Sequence, residues 1–197
     1  MTTFPAYFAP LRIGDGLVDL GHLDPVRFGV PSEKLRRTIT IRCLFSNHVF
    51  TRAFDPGLDP ANVPVIMDGA RSRVFCPDRY WLSRHLPMAV LELRDPRIYV
   101  RQTNARRNWL YVATIERAEA EAAGERSPRP VRYQLFFTLR KAVGEGSTRE
   151  DVEMVVESAY AEHLARPPDL LGRVLFAGLV TATFEGRAIH TQPSRRR

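Results

Sequence analysis

Along residues 98–141 apolar and polar positions alternate with a period of two. Trp109, Tyr111, Ala113 and Ile115 fall on one side, and Leu110, Val112 and Thr114 on the other. Tyr133, Leu135, Phe137 and Leu139 interleave in the same way with Arg132, Gln134, Phe136, Thr138 and Arg140. This period in β-branched and aromatic residues predicts strands with one buried face. Strands are expected at 98–103, 108–116 and 131–141, the first two joined by a basic tip at Asn104, Ala105, Arg106 and Arg107. Residues 38–45 repeat the pattern, with Ile39, Ile41, Cys43 and Phe45 on one face. That strand is expected to continue, bent, through 46–52.

A helical period appears once without ambiguity. Leu82, Leu86, Ala89, Val90 and Leu93 recur at spacings that put them on one face of an amphipathic helix over 78–93. Pro77 suits its first position, and Pro87 should kink or restart it. Residues 148–164 read two ways. Val152, Val155, Val156 and Ala159 fit a helix, while Val152, Met154, Val156 and Ser158 fit a strand, which the valine run favours. Residues 173–184 carry the same ambiguity. Gly14, Gly16, Gly21 and Gly29 break up residues 1–37, which read as loops and an arm. Pro56, Gly57, Pro60, Pro64 and Gly69 make 55–70 a surface loop. The sum is an α+β fold, a mainly antiparallel sheet with the amphipathic helix packed on one face. One domain is expected at 38–189, after an arm at 1–37 and before a disordered basic tail at 190–197.

Composition narrows the class. No run of eighteen apolar residues suggests a membrane helix, and the first residues lack the basic start and apolar stretch of a signal peptide. Cys43 and Cys76 do not make a disulfide framework, so a cytoplasmic, reducing setting is the expectation. The net charge is +7. Between Arg71 and Arg107 nine arginines face only Asp78, Glu92 and Asp95, and the tail adds Arg195, Arg196 and Arg197. All basic residues except Lys34 and Lys141 are arginine, which a GC-rich genome also produces. The clustering, rather than the total, is therefore what points to phosphate.

Several residues are placed for chemistry. His48 follows Ser46 and Asn47 directly after an apolar strand, where an imidazole can serve as general acid or base. A hydrogen-bonded histidine at a strand bend is the structural alternative. Arg79 opens the predicted helix beside Asp78 and Tyr80, as an anion contact or as an exposed side chain next to a cap. Arg101, Arg106 and Arg107 interleave with Trp109 as RNA contact requires, unless Trp109 faces the core. Lys141 ends one strand, and pairing with 152–159 would bring Ser158 and Tyr160 onto its sheet. Cys43, His48, Cys76 and His85 lack the spacing of a zinc site, so no metal and no cofactor are expected. There is no phosphate-binding loop, no dinucleotide fingerprint, no zinc-protease His-Glu-x-x-His and no nucleophile elbow.

The strings Tyr133–Lys141, Val156–Tyr160 and Asn108–Tyr111 resemble small proteins of bacterial mobile elements and, through them, the barnase–EndoU–colicin–RelE class of compact ribonuclease toxins. The resemblance implies a helix on a small antiparallel sheet and metal-independent RNA cleavage. It implies a site on the exposed sheet face, drawn here from His48, Arg79, Arg101, Lys141, Ser158 and Tyr160. The N-terminal arm and the 55–70 loop are additions to that class. The expectation is an RNA-directed protein whose partners are RNA and a cognate protein, with no membrane. The alternative is a non-enzymatic interaction or regulatory module of a phage or defence locus using the same basic surface.

Overall fold

The ladder that begins at residues 98–141 grows into an eight-stranded sheet. The computed structural model describes residues 7–60, 63–104, 108–116, 130–143, 150–164 and 167–193. The strands of the large sheet are β3 (Val26–Ser32), β4 (Arg37–Phe45), β8 (Tyr99–Thr103), β9 (Trp109–Ile115), β10 (Val131–Lys141), β11 (Val152–Ala161), β12 (Leu170–Leu175) and β13 (Gln192–Pro193). Their order is β13-β12-β8-β9-β10-β11-β4-β3. All neighbours are antiparallel except β11 and β4. A three-stranded sheet of β5 (Thr51–Ala53), β6 (Val65–Asp68) and β7 (Arg71–Phe75), in the order β5-β7-β6, stands beside it. A short pair, β1 (Leu11–Ile13) and β2 (Gly16–Val18), precedes them.

The alternation read from the sequence is the alternation of the two sheet faces. Ile39, Ile41, Cys43 and Phe45 are buried together with Tyr133, Leu135, Phe137, Val152, Met154 and Val156. The helices cover this face. The segment expected as one helix is two, α1 (Pro77–Ser83) and α2 (Leu86–Glu92), broken at Arg84–His85 with Pro87 in the first turn of the second. Leu82, Leu86, Ala89, Val90 and Leu93 all enter the core. Residues 173–184 resolve into both alternatives: β12 gives way at Leu175 to α3 (Phe176–Glu185), which closes on Gly186 in the left-handed region. Residues 152–161 are a strand. No helix among the described residues is long and apolar enough to cross a membrane.

Several expectations change. The strand expected to run on, bent, through 46–52 ends at Phe45; a turn at Asn47–Val49 follows, and Thr51–Ala53 pairs in the small sheet. Residues 26–32, read as part of an arm, form β3 and complete the sheet edge against β4. Residues 65–68, read as loop, form β6. Gln192 and Pro193, read as disordered tail, pair with β12, while 194–197 lie outside the described residues.

Two irregularities position the site. The β10–β11 register shifts between Phe136 and Phe137, leaving Glu157 as an extra residue in β11. The bulge exchanges faces: Val156 pairs with Phe137 on the buried side, but Ser158 pairs with Phe136 on the other. At the same level β4 stops. Its pairing with β11 ends at Phe45 and Val156, and Ser46 turns the chain away. The Ser46 amide donates to the Val156 carbonyl at 3.0 Å and its hydroxyl donates to the Glu157 carbonyl at 2.6 Å. The half of β11 beyond the bulge thus has no strand on that side, and the turn Asn47–Val49 and α1 approach it instead.

Candidate functional site

Where β4 and β11 part, a cavity of about 420 Å³ opens. His48, Arg71, Arg73 and Arg79 line one wall, and Phe136, Ser158 and Tyr160 the sheet side. Asn108, Glu157, Thr103 and Pro168 close it. Four residues singled out from the sequence, His48, Arg79, Ser158 and Tyr160, meet here from three separate elements.

Each is held for a local reason. Ser46 caps the Asn47–Val49 turn, its hydroxyl accepting the His48 amide at 3.1 Å, which fixes the histidine at the strand's end. The His48 ring then reaches across to the small sheet, where Nε2 lies 2.6 Å from Asp68 Oδ2. This contact pulls the Asp68 carboxyl below its ordinary value, against the opposing effect of burial. An ionised carboxylate only accepts, so Nε2 is the donor in this contact, and in the neutral ring Nδ1 is then the acceptor.

The arginines come from β7 and α1. Arg73 is 7 % exposed. Its Nε donates to Thr51 Oγ1 at 2.7 Å and its Nη2 to the Thr51 carbonyl at 3.0 Å. Burial, and then the Arg79 cation, pull the guanidinium below its ordinary value, yet it stays charged. It makes no ion pair among the described residues; Asp68 acts on it only at a distance. Arg79 Nη1 donates to the carbonyls of His48 and Thr51, both at 3.0 Å, and its guanidinium lies over the Tyr160 ring at 5.4 Å. Arg71 sits two residues before Arg73 on the same strand and is exposed. Tyr160 also stacks on Phe136, ring centroids 5.2 Å apart. Burial raises its phenol above the ordinary value, opposed by Arg79, so it remains a donor at neutral pH. Glu157, the bulge residue, accepts from Asn108 Nδ2 at 2.8 Å.

The remaining candidates go elsewhere. Lys141 lies before the bulge on the helix-covered side, 5.2 Å over the Phe184 ring, and borders a different cavity with Arg42 and Arg140. Trp109 is 5 % exposed and faces the core opposite Phe137, so its ring offers no stacking surface. Arg101 is exposed and lines a separate cavity that shares Pro168 with this one. Arg106 and Arg107 lie outside the described residues. Cys43 is buried and Cys76 half-buried, and no cluster of three or more His, Cys, Asp or Glu able to hold a metal occurs among the described residues.

A sequence profile of one family matches residues 10–184, which takes in every wall of this cavity. The chain belongs to the YjaZ family. No curated protein and no solved structure matches it. The YjaZ match thus spans the small sheet as well as the large one, so the β5–β7 insertion that supplies Asp68, Arg71 and Arg73 lies within the family's region. Reading 55–70 as loop hid Asp68. The spacing Arg71-Ser72-Arg73, which puts two arginines on one face of a strand, is the signal in the sequence that could have found this wall.

Proposed function

We propose that this protein binds RNA at the crevice between β4 and β11 and cleaves it without a metal ion. One observation carries the reading: Arg73 is a buried cation bonded only to neutral acceptors, and it stands beside Arg71, Arg79 and the His48–Asp68 pair. A buried charge is ordinarily compensated by an opposite one. A phosphodiester supplies that charge, and an adjacent imidazole and phenol supply acid and base.

In this reading His48 Nδ1 takes the proton of a ribose 2′-hydroxyl. The 2′-oxygen forms a bond to phosphorus, the bond from phosphorus to the 5′-oxygen breaks, and the leaving oxygen takes a proton from Tyr160. Ser158 donates to a non-bridging oxygen. Arg71, Arg73 and Arg79 neutralise the charge that builds on phosphorus. Asp68 holds the His48 tautomer. The products are a 2′,3′-cyclic phosphate and a 5′-hydroxyl. The likeness to the ribonuclease-toxin class is part of this proposal, and a cytoplasmic site of action belongs to it too.

The tethering of Arg79 to two carbonyls favours a second reading, a binding module that holds phosphate without cutting it. Incubating pure protein with total RNA in chelator, wild type beside His48→Ala, separates the two. Fragments from wild type alone support cleavage. Fragments from neither, with salt-sensitive binding of labelled RNA, support the module.

A further inference from the structure

The sheet face that carries the crevice continues past it. Arg101 pairs in register with Leu110, Leu110 with Phe136, and Phe136 with Ser158. One row further, Val112 pairs with Gln134 and Gln134 with Tyr160. Residues paired across strands share a face. The sheet side of the crevice, Phe136, Ser158 and Tyr160, and Arg101, Leu110, Val112 and Gln134 therefore form one surface. The latter four line a second cavity of about 330 Å³, and Pro168 is a wall of both cavities.

We infer that this second cavity is a nucleotide subsite, and that the ligand is single-stranded RNA at least two nucleotides long, running across the strands from the crevice toward Arg101. The inference rests on the proposed function. Each cavity repeats the same pairing of chemistries, a cation beside an apolar and aromatic floor: Arg73 and Arg79 with Phe136 and Tyr160 in the first, Arg101 with Val112 and the exposed Tyr99 in the second. That is the alternation of phosphate and base along an unpaired strand. Arg132 in the second cavity is already paired with Glu162 at 3.1 Å, whereas Arg101 makes no ion pair among the described residues. Arg101 is therefore the residue that holds the second phosphate. Its cross-strand neighbour Arg173 lies 4.7 Å over the Tyr99 ring and adds positive charge at the same edge. A duplex buries its bases against each other and offers no base to either floor.

The test is fluorescence anisotropy with labelled, uncleavable 2′-fluoro RNAs: a nucleoside bisphosphate, a dinucleotide, a tetranucleotide and a hairpin duplex. Wild-type affinity should rise at least about tenfold from the bisphosphate to the tetranucleotide. Arg101→Ala, at an exposed position, should keep the wild-type melting temperature and lose that rise while binding the bisphosphate as wild type does. Equal affinity at all lengths, an unchanged rise in Arg101→Ala, or a duplex bound as tightly as the tetranucleotide would overturn the subsite and leave the crevice reading intact. No binding of any RNA by wild type would overturn both.

Discussion

His48 Nε2 and Asp68 Oδ2 meet at 2.6 Å, although they are twenty residues apart, one in the turn after β4 and the other at the end of β6 in the small sheet. The histidine sits where a strand of the large sheet ends, and the aspartate ends β6 of the small one. This contact makes the small sheet a wall of the crevice rather than an appendage. It also couples the ring that would act on the 2′-hydroxyl, through β6, to the neighbouring strand β7 that carries Arg71 and Arg73.

Asp68→Asn removes the charge but keeps the shape. Cleavage should fall by about 10²-fold or more as the imidazole loses its fixed tautomer and its counter-ion. The pH dependence has a definite sign. The folded-state carboxyl lies below its unfolded value, so the contact is fully present above about pH 4 and is lost as pH falls through the lower folded value. The stability of wild type to denaturant, measured from pH 8 down to 3, should fall on that acid limb. A limb unchanged in Asp68→Asn would contradict the role.

Arg73 should report ligand binding through stability. Phosphate that binds only the folded protein raises its melting temperature. We expect inorganic phosphate, but not an equal ionic strength of chloride, to do so for wild type. Arg73→Met should abolish the effect. Because Met fills the volume and removes an unpaired buried cation, the variant should remain folded, with stability changed by no more than about 1–3 kcal/mol. A phosphate response retained in Arg73→Met would place the anion elsewhere.

Asp151 locks the start of β11 onto β4. Its carboxylate accepts from the Thr40 amide at 2.8 Å, the Thr40 hydroxyl at 3.0 Å and Arg37 Nη2 at 2.7 Å. Burial raises its carboxyl, but these bonds outweigh burial and leave it below the ordinary value. The stability it contributes is present above its unfolded value near pH 4 and disappears as pH falls through the folded one. Asp151→Ala should cost about 1–3 kcal/mol at pH 7 by denaturant titration, and the gap to wild type should close in acid. An equal gap at both pH values would contradict the assignment.

Much of the large sheet was legible because its strands bury one face and so alternate. The His48 position was legible for the same reason: alternation stops at Phe45 and polar residues follow. β6 was not, because its apolar side chains Val65 and Met67 point to solvent, 44 % and 61 % exposed, and leave no burial signal between proline and glycine. Lys141 was grouped with Ser158 and Tyr160 by assuming unbroken alternation in β11. The bulge at Glu157 moves those two to the opposite face and leaves Lys141 with the helices. A one-residue bulge has no composition of its own, so only the structure reveals it.

The most direct measurement is mass spectrometry of the ends produced from one defined single-stranded RNA in chelator, with wild type and His48→Ala side by side. The account predicts fragments ending in 2′,3′-cyclic phosphate with matching 5′-hydroxyl ends from wild type, and intact RNA from His48→Ala. Intact RNA from wild type, 3′-hydroxyl ends, or the same fragments from both proteins would contradict it.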